Sequence, residues 1–149
     1  MKKHNEFIEK LLEFETTFKN TINVQPCEEA FKKTALLRCR LMLEELGEFN
    51  DSLLEFVKAE NKEEEAYGLI GMVDGLTDLL YVVIGTAVVL GIDIEESFKE
   101  VHRSNMSKLN RNGEPIFRDD GKILKGRNYT PPELERFVDV NERGEYIFV

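Results

Sequence analysis

Apolar residues recur at helical spacing through most of the first 110 positions and lose that rhythm afterwards. Phe7, Leu11, Phe14 and Phe18 follow one another every three or four residues, which predicts a short amphipathic helix over 3–20. Thr21 to Pro26 breaks it. Glu28 to Glu60 holds no proline and a single glycine, Gly47, among dense apolar positions, so a long second helix with a bend near Gly47 is expected. Asn61 and the acidic run Glu63 to Glu65 suit a turn and a helix N-terminus, where the dipole favours negative charge. That third helix runs to Leu90 and stops at Gly91, a favourable C-terminal residue. Asp93, with Glu96 in capping-box position, opens a fourth helix whose inward side is Ile94, Phe98, Val101 and Leu109. Beyond Asn110, Gly113, Pro115, Asp119-Asp120-Gly121, Gly126 and Pro131-Pro132 punctuate short β-capable pieces at 115–118 and 122–124. The expected fold is all-α: a four-helix bundle with long antiparallel second and third helices over 1–110. An irregular extension, 111–149, carries a short hairpin and packs on the same domain.

A chain of 149 residues suits one domain with a real core. The third helix is the feature that most constrains function. Leu69 to Leu90 is rich in Leu, Ile and Val and free of charge except for Asp74 and Asp78, one helical turn apart. Its length would span a bilayer, but each aspartate near the centre would cost about 2.5–3.5 kcal/mol, and glycines at 68, 71, 75, 85 and 91 dilute the hydrophobicity. A helix apolar all round, buried in a bundle or at an oligomer interface, is the expectation, with no membrane partner. Burying two anions there then requires a proton or a cation.

Upstream lie Glu44, Glu45 and Glu48. At about 100° per residue they share one side of the second helix, as do Leu37 and Leu41 one and two turns earlier, so they do not sit on a simple solvent face. If the two helices face each other, five carboxylates enclose a hard-cation site. Oxygen-only ligands suit Mg²⁺ or Mn²⁺ better than Zn²⁺ or copper. A di-iron site would want Glu-x-x-His pairs, and neither His4 nor His102 is so placed. The bland reading of the aspartates is satisfaction by Arg38, Arg40 or helix ends.

Glu44-Glu45-Leu46-Gly47-Glu48 resembles the EExxE motif of the MazG-like all-α nucleoside triphosphate pyrophosphohydrolases, a superfamily that includes phosphoribosyl-ATP pyrophosphohydrolases and dimeric dUTPases. Asp78-Leu79-Leu80-Tyr81-Val82 resembles the end of that family's second motif, ExxD, and the resemblance covers about 28–109. It implies Mg²⁺ held by Glu45, Glu48, Asp74 and Asp78, catalytic roles for Glu44 and Glu45, and Glu44 orienting or deprotonating water. The implied reaction is cleavage of a nucleotide's α,β bond to a monophosphate and pyrophosphate. One position departs from the motif: Gly75 stands where the family has its Glu, and the available carboxylate is Asp74, four residues before Asp78. Both spacings share a helix face, so Asp74 can substitute.

Net charge of −9 disfavours a nucleic-acid polymer as partner, yet residues 102–128 carry a local balance of +4. Asn105, Lys108, Lys122 and Lys125 are therefore candidate phosphate contacts, and His102 is a further candidate, as acid or stacking residue. Tyr81, Phe49 and Phe56 fit core positions. Cys27 and Cys39 are too few and too far apart for a disulfide framework, and Met-Lys-Lys is followed by charge, so a cytoplasmic protein is expected. An apolar third helix with close-approach glycines implies a homodimer or dimer of dimers, as does the resemblance. The competing class is a non-catalytic oligomerisation or nucleotide-sensing protein with a structural metal.

Overall fold

The computed structural model describes residues 5–149, in two compact units that divide between Ile92 and Asp93. The first contains α1 (Glu6–Thr17), α2 (Ala30–Lys58) and α3 (Lys62–Leu90); the second contains α4 (Ile94–Met106), a 3₁₀ turn (Leu134–Phe137), β1 (Val138–Val140) and β2 (Tyr146–Phe148). Four helices with long, closely packed second and third members are as the periodicity predicts. α4 groups with the C-terminal segment, whereas periodicity alone places the division after residue 110. The first residues of the predicted first helix lie outside the described residues.

Helix ends follow local chemistry. Asn61 accepts from the N–H groups of Glu63 and Glu64, and Asp93 accepts from Glu96 N–H at 3.1 Å. Gly91 takes φ 71°, the left-handed C-terminal conformation that glycine adopts without penalty. α2 runs unbroken through Gly47. α4 stops at Met106, short of Leu109, because Lys108 and Leu109 turn their N–H groups back to the Asn105 and Met106 carbonyls while Ser107 Oγ donates to Ser104 O.

α2 and α3 approach so closely that side chains on one must be missing. A Cβ added at Gly68 would lie 2.6 Å from the Phe56 backbone nitrogen, and one at Gly75 would lie 2.7 Å from that of Phe49. The pairs 68 with 56 and 75 with 49 run in opposite directions, which makes the helices antiparallel and fixes their register. Toward the other end, Arg38 on α2 donates to Val82 O (3.1 Å) and Thr86 Oγ1 (3.2 Å) on α3. It also pairs with Glu15 of α1 at 3.2 Å, and that carboxylate accepts from Asn20 Nδ2 at 2.7 Å. Phe14 meets Tyr81 edge-on at 5.4 Å between ring centres. After α1 the chain returns along α3, where Val24 N–H reaches Val89 O at 2.7 Å and so satisfies a carbonyl near the helix end.

One expectation is overturned. Asp74 and Asp78 are exposed, and so are Leu69, Ile70, Val73, Leu76 and Leu80, so α3 is not enclosed by its own chain. The glycine-bearing face is buried against α2; among the described residues the opposite face is exposed from Leu69 to Leu80, before α1 packs on the later turns. α3 has the length and composition to cross a membrane, but two aspartates at its middle weigh against that use.

In the second unit, Glu100 is buried and accepts from Arg103 Nε (2.9 Å) and from Glu133 N–H (2.8 Å). Arg103 first, and the Glu133 amide after it, hold its carboxyl down at about 2. Arg103 also reaches Thr130 Oγ1 and Pro131 O, tying the loop before the 3₁₀ turn to α4. The predicted hairpin at 115–124 is a single bridge, Phe117 with Ile123. The regular hairpin lies later, with Val138 opposite Phe148 and Val140 opposite Tyr146.

Candidate functional site

Continuing the α2–α3 register one turn beyond Gly75 and Phe49 sets Asp78 of α3 level with Glu45 of α2. Asp74 and Glu48 lie one turn toward the other end. The two acidic clusters thus meet across the helix pair, as a shared cation site requires. Glu45 is half-buried, while Glu44, Glu48, Asp74 and Asp78 are exposed. Burial raises the affinity of Glu45 for a proton above the ordinary carboxylate range, and Glu48, Asp78, Glu44 and Asp74 raise it further, in that order. All four neighbours are therefore close enough to act on it.

Arg38 is committed to Glu15, Thr86 and Val82, so it does not neutralise the cluster. Among the described residues, none of the five carboxylates makes an ion pair or a side-chain hydrogen bond. Close anions without counter-charge repel, and a cation between them removes the repulsion. Among the described residues, no three His, Cys, Asp or Glu side chains converge to hold a metal as they stand. The donor set nonetheless fits Mg²⁺, which takes oxygen ligands, keeps several waters, and binds through one or two carboxylates plus substrate phosphates. An open carboxylate-lined face is compatible with that; a closed cage is not needed. Beside Asp74 a shallow apolar hollow is lined by Leu69, Ile70, Val73 and Thr77.

The basic candidates gather only in part. Lys108 Nζ donates to Asn105 Oδ1 at 2.7 Å, and Gly126 N–H donates to Lys108 O at 2.9 Å, which brings Lys125 beside the end of α4. Lys122 is exposed beside the 119–121 turn, its backbone N–H on Asp120, and is not joined to the other two lysines. His102 is exposed on α4 with no hydrogen-bond partner among the described residues. Tyr129, which sequence reasoning missed, stands under Lys125 with the ammonium 4.1 Å from its ring centre. The signal was weak: a tyrosine four residues after a lysine, in a loop whose course depends on contacts with α4.

A family model described as phosphoribosyl-ATP pyrophosphohydrolase matches residues 11–105. The match takes in all five carboxylates and Asn105, and ends before Lys108, Lys122, Lys125 and Tyr129. No curated protein matches the chain.

Proposed function

From the chain's membership of the phosphoribosyl-ATP pyrophosphohydrolase family, we propose that it hydrolyses a nucleoside triphosphate or related nucleotide between the α and β phosphates. The products are a monophosphate and pyrophosphate. The observation that carries this reading is the meeting of Glu44, Glu45 and Glu48 with Asp74 and Asp78 across α2 and α3, without a cationic side chain among them. Glu45, Glu48, Asp74 and Asp78 would hold Mg²⁺, with Mn²⁺ able to replace it. When bound, the ion supplies positive charge to the phosphate oxygens and acidifies water. Glu44, on the same side of α2, orients the attacking water and takes its proton. In the second unit, Asn105 and Lys108 are the proposed phosphate contacts, through a carboxamide and a charge-assisted hydrogen bond.

A panel of nucleoside triphosphates and phosphoribosyl-ATP, incubated with Mg²⁺ or Mn²⁺, tests the reading. Release of pyrophosphate with the matching monophosphate is expected, and release of orthophosphate alone would overturn it. Binding without any release would instead favour a nucleotide sensor.

The active protein is a homodimer or a dimer of dimers, paired through the face of α3 that turns away from α2. Ile70 and Val73 on that face are each 67% exposed in the single chain, too apolar a strip to leave in water. Light scattering at micromolar concentration should give at least twice the mass of the chain. Ile70→Glu together with Val73→Glu should shift that mass toward the monomer.

A further inference from the structure

Among the described residues Lys108 and Lys125 are not held by an acid, unlike Arg103, Arg118 and Arg136. Arg103 is paired with Glu100 at hydrogen-bonding distance, Arg136 lies 3.8 Å from the same carboxylate, and Arg118 pairs with Asp120. Neither Lys108 nor Lys125 has a carboxylate partner among the described residues, although Lys108 is half-buried. The loop that carries Lys125 is fastened in place. Gly126 N–H is on Lys108 O, a Cβ at Gly126 would lie 2.8 Å from that same carbonyl, and Thr130 N–H donates to Ser107 Oγ at 2.9 Å. Tyr129 N–H closes the turn on Gly126 O at 3.1 Å, which sets the ring under the Lys125 ammonium.

We propose that Lys108 and Lys125 form a two-ammonium cradle for a polyphosphate chain, in which Tyr129 is the positioning residue that holds Lys125 over its ring face. This rests on the pyrophosphohydrolase reading for the identity of the ligand. Two ammonium groups without counter-ions suit phosphates, whose non-bridging oxygens carry charge. A cation over a phenol ring is attracted by the ring quadrupole while its N–H groups stay free to donate outward. The Ser104 side chain, and then Lys125 and Lys108, draw the Tyr129 phenol below its ordinary range, so the positive charge is concentrated at this spot. The competing role for Lys108 is to complement the negative end of the α4 dipole. That role predicts a loss of stability with no change in ligand affinity.

The test measures calorimetric binding of inorganic tripolyphosphate to the full chain, alongside KM and kcat for the triphosphate that it hydrolyses. Lys125→Met should weaken tripolyphosphate about tenfold, the size of one charge-assisted hydrogen bond. Tyr129→Leu should weaken it about threefold and raise KM equally with kcat held within about twofold, whereas Tyr129→Phe, which keeps the ring face, should stay near wild type. Tyr129→Leu added to Lys125→Met should do no further harm, because both remove the same contact. Lys125 is exposed, so Lys125→Met keeps the proposal testable even if Tyr129→Leu fails to fold. Unchanged affinity in Lys125→Met, or additive losses in the double variant, would overturn the cradle. If pyrophosphate is released but KM ignores Lys125, the cradle falls and the activity stands. Tripolyphosphate binding that depends on both residues in a protein without turnover upholds the cradle and removes the activity.

Discussion

Asp78→Asn is expected to lower Mg²⁺-dependent pyrophosphate release about 10³-fold while making the metal-free protein slightly more stable than wild type. The two effects have one source. Asp78 lies level with the half-buried Glu45 and raises its proton affinity, so without a cation the pair is repulsive. Removing one charge relieves a few tenths of a kcal/mol, the usual size for like charges at contact distance on helices. With Mg²⁺ the sign reverses. An ion bound only by the folded state, at about 100 times its Kd, adds about 2.7 kcal/mol, which for a chain of this length raises the melting midpoint by roughly 10 °C. The neutral carboxamide of the variant contributes no charge to that binding and should forfeit most of the gain. Loss of about 4 kcal/mol of charge stabilisation in the transition state corresponds to the 10³-fold rate effect. Thermal melts of both proteins in chelator and in Mg²⁺, with pyrophosphate assays in parallel, make the comparison. If wild type melts at the same temperature in both solutions, the carboxylates do not hold the ion.

Asp74 carries a weaker expectation, for a reason visible in the chain. It is four residues before Asp78 where the family motif spaces its acids by three, and Gly75 occupies the motif's position. That glycine has a packing role of its own, since its missing side chain lets Phe49 of α2 approach. A glutamate at 75 would thus be excluded by the packing that brings the clusters together. Asp74 supplies a carboxylate at the nearest position outside the contact.

What was legible in the sequence was mostly local. The caps at Asn61 and Asp93 and the stop at Gly91 involve residues within four positions of one another, and all three occur as predicted. Sharing of a helix face by Glu44, Glu45 and Glu48 follows from spacing alone. Burial of Asp74 and Asp78 did not follow, because a run that is apolar all round carries no periodicity to say which side lacks a partner. A short hairpin in the C-terminal extension occurs as expected, but its position did not follow, though Asn141 accepts from the N–H groups of Arg143 and Glu145 and Gly144 takes φ 79°, a turn signal between Val138–Val140 and Tyr146–Phe148. Tyr129 was illegible for a different reason. Its place under Lys125 depends on the Gly126 contact with the end of α4, a pairing 18 residues apart in the chain.

The second large effect is expected far from any substrate. Glu15→Gln should destabilise the chain by about 3–5 kcal/mol, the usual range for removing one partner of a buried ion pair. Glu15 is 1% exposed and the Arg38 side chain 11%, so neither charge can turn to water when the other is lost. Arg38 would keep its bonds to Val82 O and Thr86 Oγ1 but hold a buried, unneutralised guanidinium. Against a total of about 5–15 kcal/mol for a natural domain, that is roughly a fifth or more of the stability. Replacing both partners, as Glu15→Leu with Arg38→Met, should cost less than either single change, since an apolar pair leaves no orphaned charge. Urea denaturation of the single and double variants measures this. A Glu15→Gln protein within about 1 kcal/mol of wild type would mean that water reaches Arg38. The same pair bears on the chemistry. Arg38 fixes the α2–α3 register two turns from Glu45, so a folded Glu15 variant should bind Mg²⁺ more weakly, although none of the five clustered carboxylates has been altered.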